Sequence, residues 1–126
     1  MEAGVKFIAL TILMIAVTAP LAAIPAKAFP ARCLLQVDGK KYLSGRCDVD
    51  IDPDGSFSIG TRSSGWKRAS PYFAYVIFSD DRNKGDATWN ENPKSFHAES
   101  ELGTVSYDNK SECWINERTK ICWSKF

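Results

Sequence analysis

The stretch "DVDIDPDGSFSIG", Asp48 to Gly60, decides how this chain folds. Asp48, Asp50 and Asp52 alternate with Val49 and Ile51, the two-residue period of a strand with one buried face. "DPDG" then reads as a tight turn: Pro53 fixes φ, Asp54 bonds locally and Gly55 takes a left-handed conformation. "SFSIG" resumes the alternation. With Pro53, Asp54 and Gly55 as a three-residue loop, Ile51 faces Phe57, Asp50 faces Ser58 and Val49 faces Ile59. Apolar meets apolar at each core position. The same residues offer a calcium reading, because Asp50, Asp52, Asp54 and Gly55 match the D-x-D-x-D-G start of an EF-hand loop. The position where a bidentate Glu belongs is Thr61, and the flanks read as strands rather than helices. A hairpin with a solvated acidic face is the better account of the stretch.

Working backwards, "CLLQVDGKKYLSGRC" places a turn at Gly39 between two apolar runs. Setting Cys33 opposite Cys47 makes Leu35 face Gly45 and Val37 face Leu43. Leu35, Val37, Leu43, Cys47, Val49, Ile51, Phe57 and Ile59 then share one face across three strands. Forwards, "YFAYVIFS" (Tyr72 to Ser79) is apolar on both faces and reads as a central strand, with "ATWNE" and "LGTVSYD" as further strands. "ECWINERTKICWSK" sets Cys113 and Cys122 on two short strands around "ERT", with Trp114 facing Ile121. The expected fold is all-β: a small, disulfide-stapled antiparallel barrel-like or sandwich domain of roughly six to eight strands.

The four cysteines, Cys33, Cys47, Cys113 and Cys122, include no C-x-x-C pair, which disfavours zinc and favours two disulfides. Four cysteines allow three connectivities. The hairpins favour Cys33–Cys47 with Cys113–Cys122, while links between the two hairpins stay open. An exported chain is also what the N-terminus implies. Lys6 precedes the uncharged run Phe7–Ala26, and "AKA" (Ala26 to Ala28) has the small residues of a signal-peptidase site. The expected domains are a cleaved signal peptide, 1–28, and a single β domain, 29–126. The rival is an uncleaved anchor, against which Pro20, Pro25 and the small-residue ending argue. The Arg before Cys33 does not suit a lipoprotein site.

The formal net charge is +1, and with Lys6, Lys27 and Glu2 in the leader the remainder balances to zero. Nucleic-acid binding and polybasic membrane binding both expect a basic excess, so neither is favoured. No stable membrane insertion is expected after signal cleavage. No nucleophile elbow, H-E-x-x-H or phosphate-cradling loop occurs, so the chain reads as a non-enzyme with no cofactor. Two loops are left to carry function. "TRSSGWKRASP" (Thr61 to Pro71) holds Lys67 and Arg68 beside Trp66, an aromatic and basic anchor for a partner. "TWNENPKSFHAESELG" (Thr88 to Gly103) holds Trp89, Asn90 and the single histidine, His97. His97, Glu99 and Glu101 alternate, so they could share a strand face and support metal-assisted hydrolysis. "NKS", Asn109 to Ser111, matches a glycosylation acceptor.

"DGSFSIG", "YFAYV", "WNENPKSFHAESELG" and "CWINERTKICW" together resemble a group of small, uncharacterised exported proteins of alphaproteobacteria such as rhizobia. The resemblance covers most of the chain beyond the leader and implies a bacterial source and a periplasmic or secreted destination. "SGRC" and "SGWKRASPYF" are weaker echoes of the S-G-x-x-Y type motif of bacterial c-type lysozyme inhibitors. The functional expectation is a non-catalytic binding protein of the cell envelope, acting on a protein partner in the envelope or in a host. A secreted, host-directed effector or inhibitor is the alternative.

Overall fold

The computed structural model describes residues 28–61 and 70–126. The signal-peptide expectation therefore falls on residues outside that range, as do Trp66, Lys67 and Arg68. The described residues form eight antiparallel strands closed into a barrel. In chain order they are β1 (Phe29–Val37), β2 (Lys40–Ile51), β3 (Phe57–Ile59), β4 (Ala74–Phe78), β5 (Lys84–Trp89), β6 (Ser100–Asp108), β7 (Cys113–Ile115) and β8 (Thr119–Ser124). Each strand pairs with its sequence neighbour, and β8 pairs with β1 to close the wall. Up-and-down order sends successive connections to opposite ends. The upper rim carries the β1–β2 and β7–β8 turns and the β3–β4 and β5–β6 loops. The lower rim carries the other connections, the start of β1 and the end of β8.

The β2–β3 hairpin has the register its alternation predicts: Val49 opposite Ile59, Asp50 opposite Ser58, Ile51 opposite Phe57. The β1–β2 register differs from expectation by two residues. Ala31 lies opposite Cys47, Cys33 opposite Gly45 and Leu35 opposite Leu43. The cause is a two-residue turn at Asp38 and Gly39, both with positive φ (52° and 82°), followed by a bulge that leaves Tyr42 unpaired. A slip of two keeps every side chain on its own face, so the expected inward set survives, with Ile51 half-buried at its end. The disulfide is consequently diagonal, joining Cys33 to Cys47 across a Cα separation of 5.9 Å. Cys113 and Cys122 are directly opposed, as are Trp114 and Ile121, and their bridge spans 4.3 Å between Cα atoms.

The segment expected to be a central strand is one wall of the barrel. Ala74 and Val76 on β4 point inward and are buried, while Ile77 points outward and is half exposed. A closed single sheet has no strand covered on both faces, so the long apolar run did not mean a buried layer.

An eight-stranded barrel is just wide enough for side chains to fill. Leu35, Val37, Val49, Ile59, Val76, Val105 and Ile121 are fully buried inside it. Aromatic rings take the two halves. Toward the lower rim, Trp114 meets Phe57 at 5.9 Å and Phe78 at 5.0 Å between centroids. Toward the upper rim, Tyr42 meets Trp89 at 4.7 Å and Tyr72 at 5.0 Å, both edge-on. The bridges close loops of 14 and 9 residues in separation; each is worth about 3 kcal/mol by restricting the unfolded chain.

Gly39 and Gly60 share a φ of +82° but not their surroundings. A Cβ on Gly39 meets nothing within 4 Å, whereas on Gly60 it would lie 2.6 Å from the Tyr72 carbonyl oxygen and 2.9 Å from Leu43 Cδ2. Gly39→Ala is expected to cost about 1 kcal/mol for backbone conformation alone. Gly60→Ala adds overpacking and is expected to cost about 3 kcal/mol. Urea unfolding of the oxidised protein reads the difference directly.

Candidate functional site

The opening stretch of aspartates resolves as a stitched turn. The Asp52 amide donates to the Ser56 carbonyl (2.8 Å) and the Gly55 amide to the Asp52 carbonyl (2.9 Å). Both Asp54 carboxylate oxygens accept from Ser56, one from its amide (2.8 Å) and one from its hydroxyl (3.1 Å). The Ser56 hydroxyl in turn accepts from the Phe78 amide at 2.9 Å, which ties the turn to β4. Those bonds from Ser56 hold the Asp54 carboxyl below its ordinary range. Among the described residues no group of three or more His, Cys, Asp or Glu is placed to hold a metal ion, so Asp50, Asp52 and Asp54 do not converge as calcium ligands.

The upper rim is where the two loops singled out by sequence meet. The β3–β4 connection leaves at Thr61 and returns at Ser70, and the β5–β6 loop runs from Asn90 to Glu99 beside it. Asn90 joins them. It is fully buried. Its Oδ1 accepts from the Phe73 amide at 2.7 Å, and its Nδ2 donates to the Pro71 carbonyl at 2.7 Å and toward the Ser95 carbonyl at 3.4 Å. A loop leaving a barrel has lost its ladder partners, and a buried amide that bonds on both sides replaces them.

Trp89 and Asn90 therefore present no surface to a partner; they hold the loop from beneath. What the loop does present is Phe96, 74% exposed, with His97 exposed next to it. The expectation that His97, Glu99 and Glu101 share a strand face is corrected: β6 begins at Ser100, so His97 and Glu99 lie in the loop. Their local partner is Ser95, whose hydroxyl accepts from the His97 amide (3.1 Å) and lies 3.3 Å from the Glu99 carboxylate. No hydrolytic metal centre forms from this trio among the described residues.

Two further features of the rim escaped sequence reading. Asp38 and Arg118 join the β1–β2 and β7–β8 turns by a two-pronged ion pair, 3.0 Å from Nε to Oδ1 and 2.8 Å from Nη2 to Oδ2. The hydrogen bond from Arg118 lowers the Asp38 carboxyl, and the same contact raises the guanidinium. Asn116 anchors the β7–β8 turn: its Nδ2 donates to the Leu102 and Thr104 carbonyls (2.8 and 3.1 Å) while its Oδ1 accepts from the Arg118 and Thr119 amides. Below the ion pair an open groove of about 480 Å³ runs down the outer wall past Gln36 and Lys120 to Asp108 and Ser111. The "DG" of Asp38–Gly39 marked the turn; nothing in the sequence marked its partner eighty positions on.

The chain matches no family model, no curated protein and no solved structure. Two disulfides and no free cysteine point to an oxidising location outside the cytoplasm.

Asn90→Leu keeps the size of the side chain and removes its bonds. It removes the Asn90 bonds to the Phe73 amide and the Pro71 carbonyl, and is expected to cost about 3 kcal/mol in urea unfolding. A second expectation concerns acid. Asp38, Asp54 and Asp108 all titrate below their ordinary range in the folded protein, Asp108 through the Ser111 hydroxyl. Depressed carboxyl groups stabilise the fold above the unfolded value of about 3.9 and lose that contribution as pH falls through the folded values. The urea midpoint should be insensitive to these groups between about pH 5 and pH 8 and fall below about pH 4, with a shallower fall in Asp38→Asn.

Proposed function

We propose that this protein is a small exported binding protein of the bacterial cell envelope, non-catalytic, and that it engages a protein partner through its upper rim. The supporting observation is the convergence of the β3–β4 and β5–β6 loops on one end, tied by buried Asn90, with Phe96 and His97 exposed above it. A rigid support beneath an exposed aromatic is what an interface anchor needs, since an ordered residue loses less entropy on binding. Trp66, Lys67 and Arg68 belong to the connection between Thr61 and Ser70 and extend the same chemistry in sequence. The leader, with Lys6 before the uncharged run Phe7–Ala26 and small residues at Ala26 and Ala28, supports a periplasmic or secreted destination in line with the disulfides.

The test is crosslinking in the cell, followed by capture of the tagged, exported protein and mass spectrometry without reduction. One dominant envelope protein is the expected partner, and the same spectrum reads leader cleavage and both bridges. Phe96→Ala and Trp66→Ala are each expected to weaken the isolated complex by about thirtyfold, the effect of losing a hot-spot aromatic. Wild-type affinity in both variants overturns the upper rim as the site. A partner found only during host contact would move the assignment to the host-directed alternative.

A further inference from the structure

A second cluster lies at the opposite end of the barrel and owes nothing to the upper rim. The β1–β2 register sets Arg32 directly opposite Arg46, both exposed. Like charges facing each other across an antiparallel pair repel. Among the described residues the ion pair formed is Asp38–Arg118, and neither of these two guanidinium groups joins one. Both instead flank one ring: each guanidinium carbon lies 5.3 Å from the centroid of Phe126. That ring stays 64% exposed. Lys125 adds a third cation, its Nζ 5.2 Å from the ring of Phe29. Higher on the same wall, Lys41 and Lys120 lie to either side of Gln36 in one register row. Two acids border the cluster: half-buried Asp48, next outward on β2, and Glu112, which shares a shallow groove of about 220 Å³ with Arg32.

Acidic side chains continue around the wall from β2, with exposed Lys84 among them on β5. Asp50 and Glu101 are outward positions of one register row through β2 to β6, and Asp86 lies on β5 opposite Ile77. A chain balanced in formal charge thus carries a local basic cluster at this rim. Balance in the sum was the reason to disfavour an anionic partner, and the fold removes that reason.

We propose that Arg32, Arg46, Lys125 and Phe126 form a docking surface for an anionic membrane, with the guanidinium groups on lipid phosphates and the ring in the interfacial layer. Arginine pairs with phosphate in two-pronged geometry. A free phosphate would need the cations alone and leave an apolar ring in water. A lipid headgroup layer takes both, since aromatic and basic side chains settle together at that depth.

The experiment is co-sedimentation of the folded, oxidised protein with vesicles of equal parts phosphatidylglycerol and phosphatidylcholine, against phosphatidylcholine alone. Binding to the anionic vesicles only, weakened by salt, is expected. Arg32→Gln with Arg46→Gln should weaken it by about thirtyfold, at roughly tenfold or less per charge. Phe126→Ala keeps every charge and should still weaken it several-fold. All three positions are exposed, and circular dichroism confirms that the variants fold. Failure of the wild type to sediment overturns the proposal, as does equal binding by the double variant. Displacement from the vesicles by low-millimolar inorganic phosphate assigns the cluster to a free anion, and light scattering that shows self-association through it assigns it to a second copy; either overturns the membrane. Phe96→Ala should bind vesicles as the wild type does, so failure at this rim is read separately from failure at the other.

Discussion

Everything in this fold depends on the pairing of β8 with β1. The other ladders join strands that follow one another in the chain, and each can form as a hairpin. The β1–β8 ladder, with Leu35 opposite Ile121 and Cys33 opposite Trp123, joins the two ends of the barrel and must close a loop the length of the domain. Both disulfides stand beside that seam. Cys33–Cys47 fastens β1 to β2, and Cys113–Cys122 fastens β7 to β8. Neither crosses the seam. Each makes one of the two strands that must meet already part of a fixed hairpin, so the closing step brings together two ribbons rather than two loose strands. The Asp38–Arg118 pair then spans the top of the seam, where the two hairpin turns come side by side.

Closure also decides where function can sit. The interior is taken by aliphatic side chains and by two groups of aromatic rings, so the barrel encloses its own core. The β4–β5 and β6–β7 connections are short, and the β2–β3 turn is held by Asp54 and Ser56. Length is concentrated in the β3–β4 and β5–β6 connections, both on the upper rim. A loop of that length needs internal support, and the buried Asn90 amide supplies it, while half-buried Asn116 fastens the β7–β8 turn to β6. Bulges contribute as well: the one in β2 frees Tyr42 to meet Tyr72 and Trp89 under those loops.

The parts legible in the sequence were those set by local rules. The two-residue period and the "DPDG" turn fix the β2–β3 register, and the cysteine-bearing hairpins gave both bridges. Position within the barrel was less legible. The two-residue slip of β1 on β2 came from the tight Asp38–Gly39 turn combined with a bulge that no composition signal marks, and it was harmless to the core only because two is the strand period. Trp89 and Asn90 had the composition of a binding loop, yet both lie inside; burial depends on where the loop folds back, which is a long-range fact. His97 and Glu99 alternate like strand residues, but Pro93 and the Asn90 bonds hold that stretch as a loop.

Charge shows most clearly what a sequence sum leaves out. Barrel strands alternate inside and outside, so only every second residue contributes to the outer field, and neighbours on the surface come from strands far apart in number. Arg32 and Arg46 lie on opposite arms of the β1–β2 hairpin and are adjacent in space; Asp50 and Glu101 belong to one row although several strands intervene. A balanced total therefore fits a uniformly mixed surface and a divided one equally well. Register selects between them, and here it gathers Arg32 and Arg46 into one local cluster. A directly opposed arginine pair costs stability unless something compensates it. The Phe126 ring compensates in part, and an anionic surface would do so more fully. The two rims then have separate physical characters: an upper one built on the Asn90-supported β5–β6 loop and an exposed aromatic, and a lower one built from cations around a ring.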